Sequence, residues 1–365
     1  MNLIRIILYP FALLYGIVMF IRNKLFDWNI FPSESFDIPV VSVGNLSVGG
    51  TGKTPTVELL IRILKKNLKI ATLSRGYGRK TRGFILAGKE SSYLEIGDEP
   101  LQYSQKFDEL TVAVDENRRR GIHMLMNEHE DLDVIILDDA FQHRYVKPGL
   151  SILLTDFHNL YCNDYPLPTG DLREFRVGAK RADIIIVTKT PCVLSPITRR
   201  RITNLIKPKV HQELYFSFIA YKKMKAVPGI SHTPDDSKIN TLLLFCGIAN
   251  SYPIQEHLKT KCQELIVLEF PDHHKYNQKD MQKIISTYRD IFSRNKAIIT
   301  TEKDAMRLIK TSLIESLQDY PLYYLPIEMK LHKEDSDNFV QKIKSYVGND
   351  QRKRPVPAGE NENST

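Results

Sequence analysis

Two stretches of this chain carry residue types at spacings suited to phosphate chemistry. The first is Ser47-Val48-Gly49-Gly50-Thr51-Gly52-Lys53-Thr54, with the apolar run 40–43 before it and Pro55 after it. Its closely spaced glycines let the backbone wrap round an anion with N–H groups turned inward. Lys53 is then placed to reach the β- and γ-phosphates of a nucleotide, and the Thr54 hydroxyl to bind Mg²⁺, as in a P-loop. The general P-loop pattern opens on a glycine where this chain has Ser47. The second stretch is Asp133-Val134-Ile135-Ile136-Leu137-Asp138-Asp139, an aliphatic run closing on two carboxylates. One aspartate of such a pair holds the nucleotide's Mg²⁺, directly or through water. Gln142, His143 and Arg144 follow and set polar side chains along the same rim.

These residues need a particular scaffold. The run 40–43 reads as a strand and 57–68 as an amphipathic helix, whose free N–H groups and positive dipole end suit phosphate. Pro55 fits the first helical turn, where no N–H is needed. Residues 133–139 read as a buried parallel strand, with its acids at the C-terminal edge where open α/β sheets bind ligands. Further strands are expected at 69–74, 110–114, 150–155 and 183–188, alternating with helices up to about residue 210. That pattern describes a doubly wound, mainly parallel α/β sheet. Asp98 follows Gly97 at a helix start, where an acid serves as a first-turn residue. The loop Arg75-Gly76-Tyr77-Gly78-Arg79-Lys80 reads equally as a solvated turn or as a lip over an acidic substrate. Arg118, Arg119 and Arg120 are expected to form a solvated face. The charged, proline-bearing loop 166–174 is long enough to be functional.

Beyond residue 210 the composition shifts. Residues 211–221 read as an extended connector and 228–237 as a turn region. A second, smaller α/β unit follows, with strands at 241–246, 265–270 and 297–301 and a helix at 278–291. The adjacent His273 and His274 lack the spacing and third ligand of a zinc site. Residues 301–304 read as a helix-capping cluster. A last strand is expected at 322–327, a last helix at 337–347, and a polar, disordered tail from 348. The expected divisions are 1–30 for an N-terminal helix, 31–220 for the P-loop domain, 221–320 for the second domain, 321–347 for a return strand and helix packing on the first domain, and 348–365 for the tail.

The N-terminal residues 6–21 carry no charge, with Arg5 before them and Arg22 and Lys24 after. As a helix they cover about 24 Å, short of a roughly 30 Å hydrocarbon core, and no small-residue cleavage site follows. An interfacial helix, with Tyr9, Tyr15 and Trp28 at headgroup level, and a helix buried in the core are the two readings; the basic flanks favour the first. The net charge of +8 and pI near 9.1 suit an anionic partner, whether nucleotide, nucleic acid or membrane surface. The four scattered cysteines have neither CxxC pairs nor zinc spacing.

The combination resembles one family, the tetraacyldisaccharide 4′-kinases (lipid A 4′-kinases). The similarity rests on 44–55 with its Ser47, on Ser74-Arg75-Gly76-Tyr77-Gly78-Arg79, Gly97-Asp98-Glu99-Pro100 and Leu137-Asp138-Asp139-Ala140-Phe141-Gln142-His143. It continues through 167–174, Arg181-Ala182-Asp183, Val187-Thr188-Lys189, Phe270-Pro271-Asp272-His273-His274 and Thr301-Glu302-Lys303-Asp304-Ala305, in the family's order. The resemblance implies transfer of the γ-phosphoryl group of ATP to the 4′-hydroxyl of a tetraacylated glucosamine disaccharide 1-phosphate. It further implies a membrane-associated enzyme at the cytoplasmic face of a Gram-negative inner membrane, with two α/β domains closing over nucleotide. Asp98 then takes the sugar hydroxyl's proton, assisted by His273 in preference to His274, while Lys53 and the loop amides hold the triphosphate and Thr54, Asp138 and Asp139 serve Mg²⁺. Arg75, Gln142, His143 and Arg173 are the candidate substrate contacts, Arg173 standing either on the 1-phosphate or in a structural salt bridge. Neither a nucleic acid nor an obligate protein partner is expected. The rivals are a membrane-associated P-loop switch ATPase, whose extra lysine would fall at Val48, and a soluble P-loop kinase with a buried N-terminus.

Overall fold

The computed structural model describes residues 3–230, 239–309 and 311–351. The chain opens with α1 (Leu3–Asp27), β1 (Val40–Asn45), α2 (Lys53–Leu64), β2 (Ile70–Ser74), β3 (Ile85–Leu86), α3 (Tyr93–Ile96) and α4 (Asp98–Lys106). Then come β4 (Thr111–Val114), α5 (Arg118–Glu128), β5 (Val134–Asp138), β6 (Leu150–Asp156), β7 (Ile184–Thr188), α6 (Pro196–Ile206) and β8 (Glu213–Tyr221). The remainder holds β9 (Lys225–Ala226), β10 (Thr241–Cys246), α7 (Tyr252–Lys259), β11 (Glu264–Glu269) and α8 (Gln278–Asp290). It closes with β12 (Lys296–Thr301), α9 (Glu302–Leu308), β13 (Leu322–Leu325), β14 (Ile327–Leu331) and α10 (Lys333–Gln351).

The strands form two sheets. The nine-stranded sheet has the order β14-β8-β7-β6-β1-β5-β2-β4-β3 and the five-stranded sheet the order β11-β10-β12-β13-β9. In the large sheet only the edge pairs β14–β8 and β3–β4 are antiparallel; in the small one only β13–β9 is. The large sheet's central strands are buried on both faces, because successive side chains alternate sides. Ile136, Ile152 and Ile184 pack under Val57, Leu60, Ile61 and Leu64 of α2 and Phe339 and Ile343 of α10. On the opposite face, Ile135 and Leu137 meet Ile122 and Leu125 of α5, while Leu153 and Ile185 meet Ile202 and Ile206 of α6. The two sheets share apolar packing: Ile96, Leu101 and Val114 join one cluster with Leu243, Phe245, Ile298 and Ala305.

Several expectations need correcting. Residues 211–221 are not a connector: 213–221 form β8, parallel to β7 and antiparallel to β14. The single strand expected at 322–327 is two strands in two sheets, β13 beside β12 and β14 beside β8. Pro326, which has no N–H to donate, stands at the switch between them. The last helix is longer than 337–347; part of the tail and most of the 228–237 turn lie outside the described residues. Arg118 is not solvated but 3% exposed, while Arg119 and Arg120 are on the surface.

Helix α1 is neither free nor buried. Ala12 and Phe26 are buried, Gly16 sits against the Phe175 ring, and Tyr15 Oη donates to the Arg173 carbonyl at 2.9 Å. Asn23 Nδ2 donates to Glu174 at 2.6 Å. The other side carries Phe11, Leu14, Val18 and Ile21, each more than half exposed. Among the described residues, no helix is long and apolar enough to cross a membrane.

Candidate active site

The two phosphate motifs meet because β1 and β5 are neighbours in register, Val43 opposite Asp138. The turn from β1 to α2 passes through Gly49 and Gly52, with φ of 97° and 87°, a left-handed region natural to glycine. Side chains built at Gly49 or Gly50 would meet no atom within 4 Å, so the loop presents bare backbone to open space. Its outer flank is pinned by the 171–173 segment, Val48 N donating to the Asp171 carbonyl at 2.7 Å and Arg173 N to Leu46 at 2.7 Å. Its inner flank is held from the end of β7. Thr188 Oγ1 donates to the Thr51 carbonyl at 2.8 Å, and Lys189 reaches both the Gly50 carbonyl and, at 2.7 Å, Asp156.

Lys53 Nζ lies 3.8 Å from Asp139, whose carboxylate also receives Arg173 Nη1 at 3.0 and 3.2 Å. Burial pushes the Asp139 carboxyl up, but Lys53 and Arg173 outweigh it and hold it below the usual range. Asp138 behaves oppositely. Its burial, with Glu99 and Asp139 close by, pushes its carboxyl up to about 7 against Lys53 and the Tyr103 hydroxyl. Tyr103 Oη donates to its Oδ2 at 2.8 Å, whereas Oδ1 is buried with no hydrogen-bond partner. A buried acceptor oxygen without a partner beside a P-loop suits a divalent cation, since Mg²⁺ takes one or two carboxylates and completes its shell with phosphate and water. Among the described residues there is no cluster of three or more His, Cys, Asp or Glu able to hold a metal unaided.

Asp98 opens α4 after Gly97, which has φ 95° and approaches Gly76 closely. One oxygen, Oδ1, accepts the Glu99 N–H at 3.0 Å. The other, Oδ2, accepts Arg307 Nη2 and Nε at 2.7 and 3.1 Å and lies 3.6 Å from His273 Nδ1 and 3.9 Å from Lys303 Nζ. Burial alone would raise the Asp98 carboxyl, but His273, Lys303 and Arg307 together hold it far below the usual carboxylate range. His273 has φ 56° and its ring stands edge-on to Tyr77 at 5.1 Å, so the 75–80 loop touches it directly. His274 turns away, bonding Asp280 at 2.9 Å and stacking on Phe270.

Of the residues expected on the rim, Arg75 is exposed. Gln142 ties the loop to the sheet, donating to the Asn45 carbonyl at 2.8 Å. His143 is partly buried; burial first, then Arg118, Arg22 and Arg75, depress its pKa to about 4, and its Nε2 is without a partner. Thr54 follows Lys53 in the first turn of α2. Sequence reasoning missed Arg307, Lys303, Tyr103, Arg118 and the P-loop contacts of Lys189. Lys189 and Asp156 were in principle findable, since both sit at the C-terminal ends of parallel strands. Arg307 had no such signal, being one residue inside a short helix.

The chain matches the profile of the family described as tetraacyldisaccharide-1-P 4′-kinase over residues 4–347. It is 45% identical over 366 residues to the tetraacyldisaccharide 4′-kinase of Bacteroides thetaiotaomicron, covering 97% of this chain and 96% of that one. It is 46% identical over 347 residues to the enzyme of the same name from Flavobacterium johnsoniae, covering 95% and 98%. Among solved structures it resembles the "apo" form of LpxK from Aquifex aeolicus in complex with ATP, with a TM-score of 0.72, 26% identity, and 94% and 99% of the two chains covered.

Proposed function

This chain belongs to the tetraacyldisaccharide 4′-kinase family, and on that premise we propose how its residues carry out the reaction. Its activity is that of the family, an ATP-dependent kinase step of lipid A biosynthesis. In our reading the 47–54 loop amides and Lys53 hold the triphosphate of ATP, and the sugar's 4′-hydroxyl attacks the γ-phosphorus from the side of Asp98. Such transfer passes through a loose transition state, so positioning and charge neutralisation carry most of the catalysis. Thr54 and the unpartnered Oδ1 of Asp138, with Asp139 beside it, would hold Mg²⁺, which would supply charge neutralisation to the triphosphate. Asp139, Lys53 and Arg173 form a relay of alternating charge at the loop's mouth.

Asp98 is ionised and gripped by Arg307 on one oxygen, which leaves Oδ1 to orient the hydroxyl and take its proton late, when the oxygen has become acidic. His273 keeps that carboxylate aimed. The observation that carries this reading is the approach of His273 to Asp98, 3.6 Å across the seam between the two sheets. Arg75 and His143 line the adjacent rim for the acidic disaccharide.

We place the enzyme on a membrane surface through α1. Its exposed stripe of Phe11, Leu14, Val18 and Ile21 suits the acyl region while its opposite side holds the 173–174 loop. The test is incubation of purified protein with γ-labelled ATP and a tetraacyldisaccharide 1-phosphate. Label at the 4′-position, dependent on Mg²⁺, is expected; label elsewhere or none overturns the reading.

A further inference from the structure

We infer that Lys106 is a positioning residue, an ammonium shared by two buried carboxylates that sets the spacing between the phosphate loop and Asp98. The inference rests on the assignment of the P-loop and Asp98 above.

Lys106 ends α4, and its Nζ lies 2.8 Å from Glu58 of α2 and 2.8 Å from Glu302 at the start of α9. The two carboxylates are nearly inaccessible, with side chains 1% and 7% exposed. Burial first, and Glu58 next, push the Glu302 carboxyl up, while Lys106 draws it back. Two buried like charges need a cation between them, so the three groups hold one geometry. Gln102, one turn earlier on α4, also donates to Glu58, at 2.9 Å. The charges continue in alternation: Arg62 meets Glu58 at 2.7 Å and Glu328 at 3.5 Å, and Lys222 meets Glu328.

The three helices joined here carry Lys53, Asp98 and the cations that hold Asp98. Helix α2 begins at Lys53 of the P-loop, and α4 begins at Asp98. Helix α9 carries Lys303 and Arg307, which hold Asp98 and Glu99 at the other end of α4. Helix α4 is thus fastened to α9 at both ends and to the P-loop helix through Gln102 and Lys106, of which Lys106 also reaches α9. A change at Lys106 moves donor and acceptor sides relative to one another without touching either ligand. Misplacement by about 1 Å costs on the order of 10²-fold in rate.

The experiment uses full-length Lys106→Met in lipid micelles with ATP and the tetraacyldisaccharide 1-phosphate. kcat is expected to fall by roughly 10- to 100-fold, with binding of a non-hydrolysable ATP analogue unchanged within about twofold. Lys106→Arg should restore most of the rate. Glu302→Gln should lose about as much, and the double variant Lys106→Met/Glu302→Gln little more. A folded Lys106→Met with kcat within about twofold of wild type overturns the inference. So does a parallel loss of rate and nucleotide affinity with no rescue by arginine. If Lys106→Met does not fold, the near-isosteric Glu302→Gln decides by the same criterion. Asp98→Ala run alongside separates the two layers. Activity retained there removes the base assignment, whereas an inactive Asp98→Ala with an unimpaired Lys106→Met removes only the role of Lys106.

Discussion

Lys53 is only 11% exposed in its side chain and faces Asp139 at 3.8 Å, so it is less solvated than a loop lysine usually is. Lys53→Ala should still fold, because Asp139 keeps Arg173 as its partner. Its turnover should fall by roughly 10²-fold or more, as expected when a charge aimed at the transferring phosphoryl group is removed. Steady-state rates beside a thermal melt check this; full activity would take the P-loop out of the mechanism. The Asp98–His273 pair calls for a double-mutant cycle on kcat at saturating ATP. Asp98→Ala should cost several orders of magnitude, and His273→Ala less alone and almost nothing further in the Asp98→Ala background. Additive penalties would break the pair. Asp138 supplies a pH signature. Its folded pKa, pushed up to about 7, lies above the unfolded value near 3.9. The native state therefore binds this proton more tightly, and the resulting stability is fully present below about pH 4 and lost as pH rises through about 7. In chelator-treated protein, wild type should lose stability relative to Asp138→Asn between pH 5 and pH 8, measured by denaturant unfolding at each pH. A flat difference would show that Asp138 is already ionised.

Among the elements, α1 has two unlike faces, one packed and one exposed and apolar. Its inner face meets Arg173, Glu174 and Gln142 through Tyr15, Asn23 and Arg22, so deleting the helix disturbs the active-site rim as well as any membrane contact. Point changes on the outer stripe separate the two. Leu14→Asp with Val18→Asp should release the protein from vesicles while leaving kcat on a short-chain soluble analogue within about twofold. Co-sedimentation with vesicles and the soluble assay make the comparison, and undiminished sedimentation would assign the stripe another partner. Helix α4 has a comparable doubleness: Asp98 at its start is both a first-turn acid and the partner of Arg307. Gly97 holds the N-cap position with no side-chain cap, so Asp98 complements the helix start by its charge rather than by a capping hydrogen bond.

For the molecule as a whole, the net charge of +8 and the apolar stripe of α1 would each draw it to an anionic lipid surface, by different laws. Attraction to an anionic leaflet fades with ionic strength as the Debye length shrinks from about 10 Å at 0.1 M to about 3 Å at 1 M salt, whereas burial of the stripe does not. Binding to anionic vesicles should drop severalfold from low to high salt and then level off above zero. Release to zero at high salt would mean that charge alone holds the protein to lipid.

What could be read from the residues in order was local. The strand–glycine loop–helix around Gly49 to Lys53 and the acids ending β5 follow from periodicity and glycine spacing, because neighbouring residues dictate them. The alternation of strands and helices likewise announced a mainly parallel sheet. Long-range pairing was beyond that reach. Nothing near 211–221 says that β8 is sandwiched between β7 and β14, and nothing near Pro326 says that the chain changes sheets there. Arg118 looked like its two exposed neighbours until α5 turned it beneath the end of β5, near Asp138. Arg307 is more than 200 residues from Asp98, the ion pair spanning a sequence separation of 209. Whether an arginine is solvated or buried beside a carboxylate depends on which surfaces the fold brings together, and that is settled by tertiary packing rather than by neighbours in the chain.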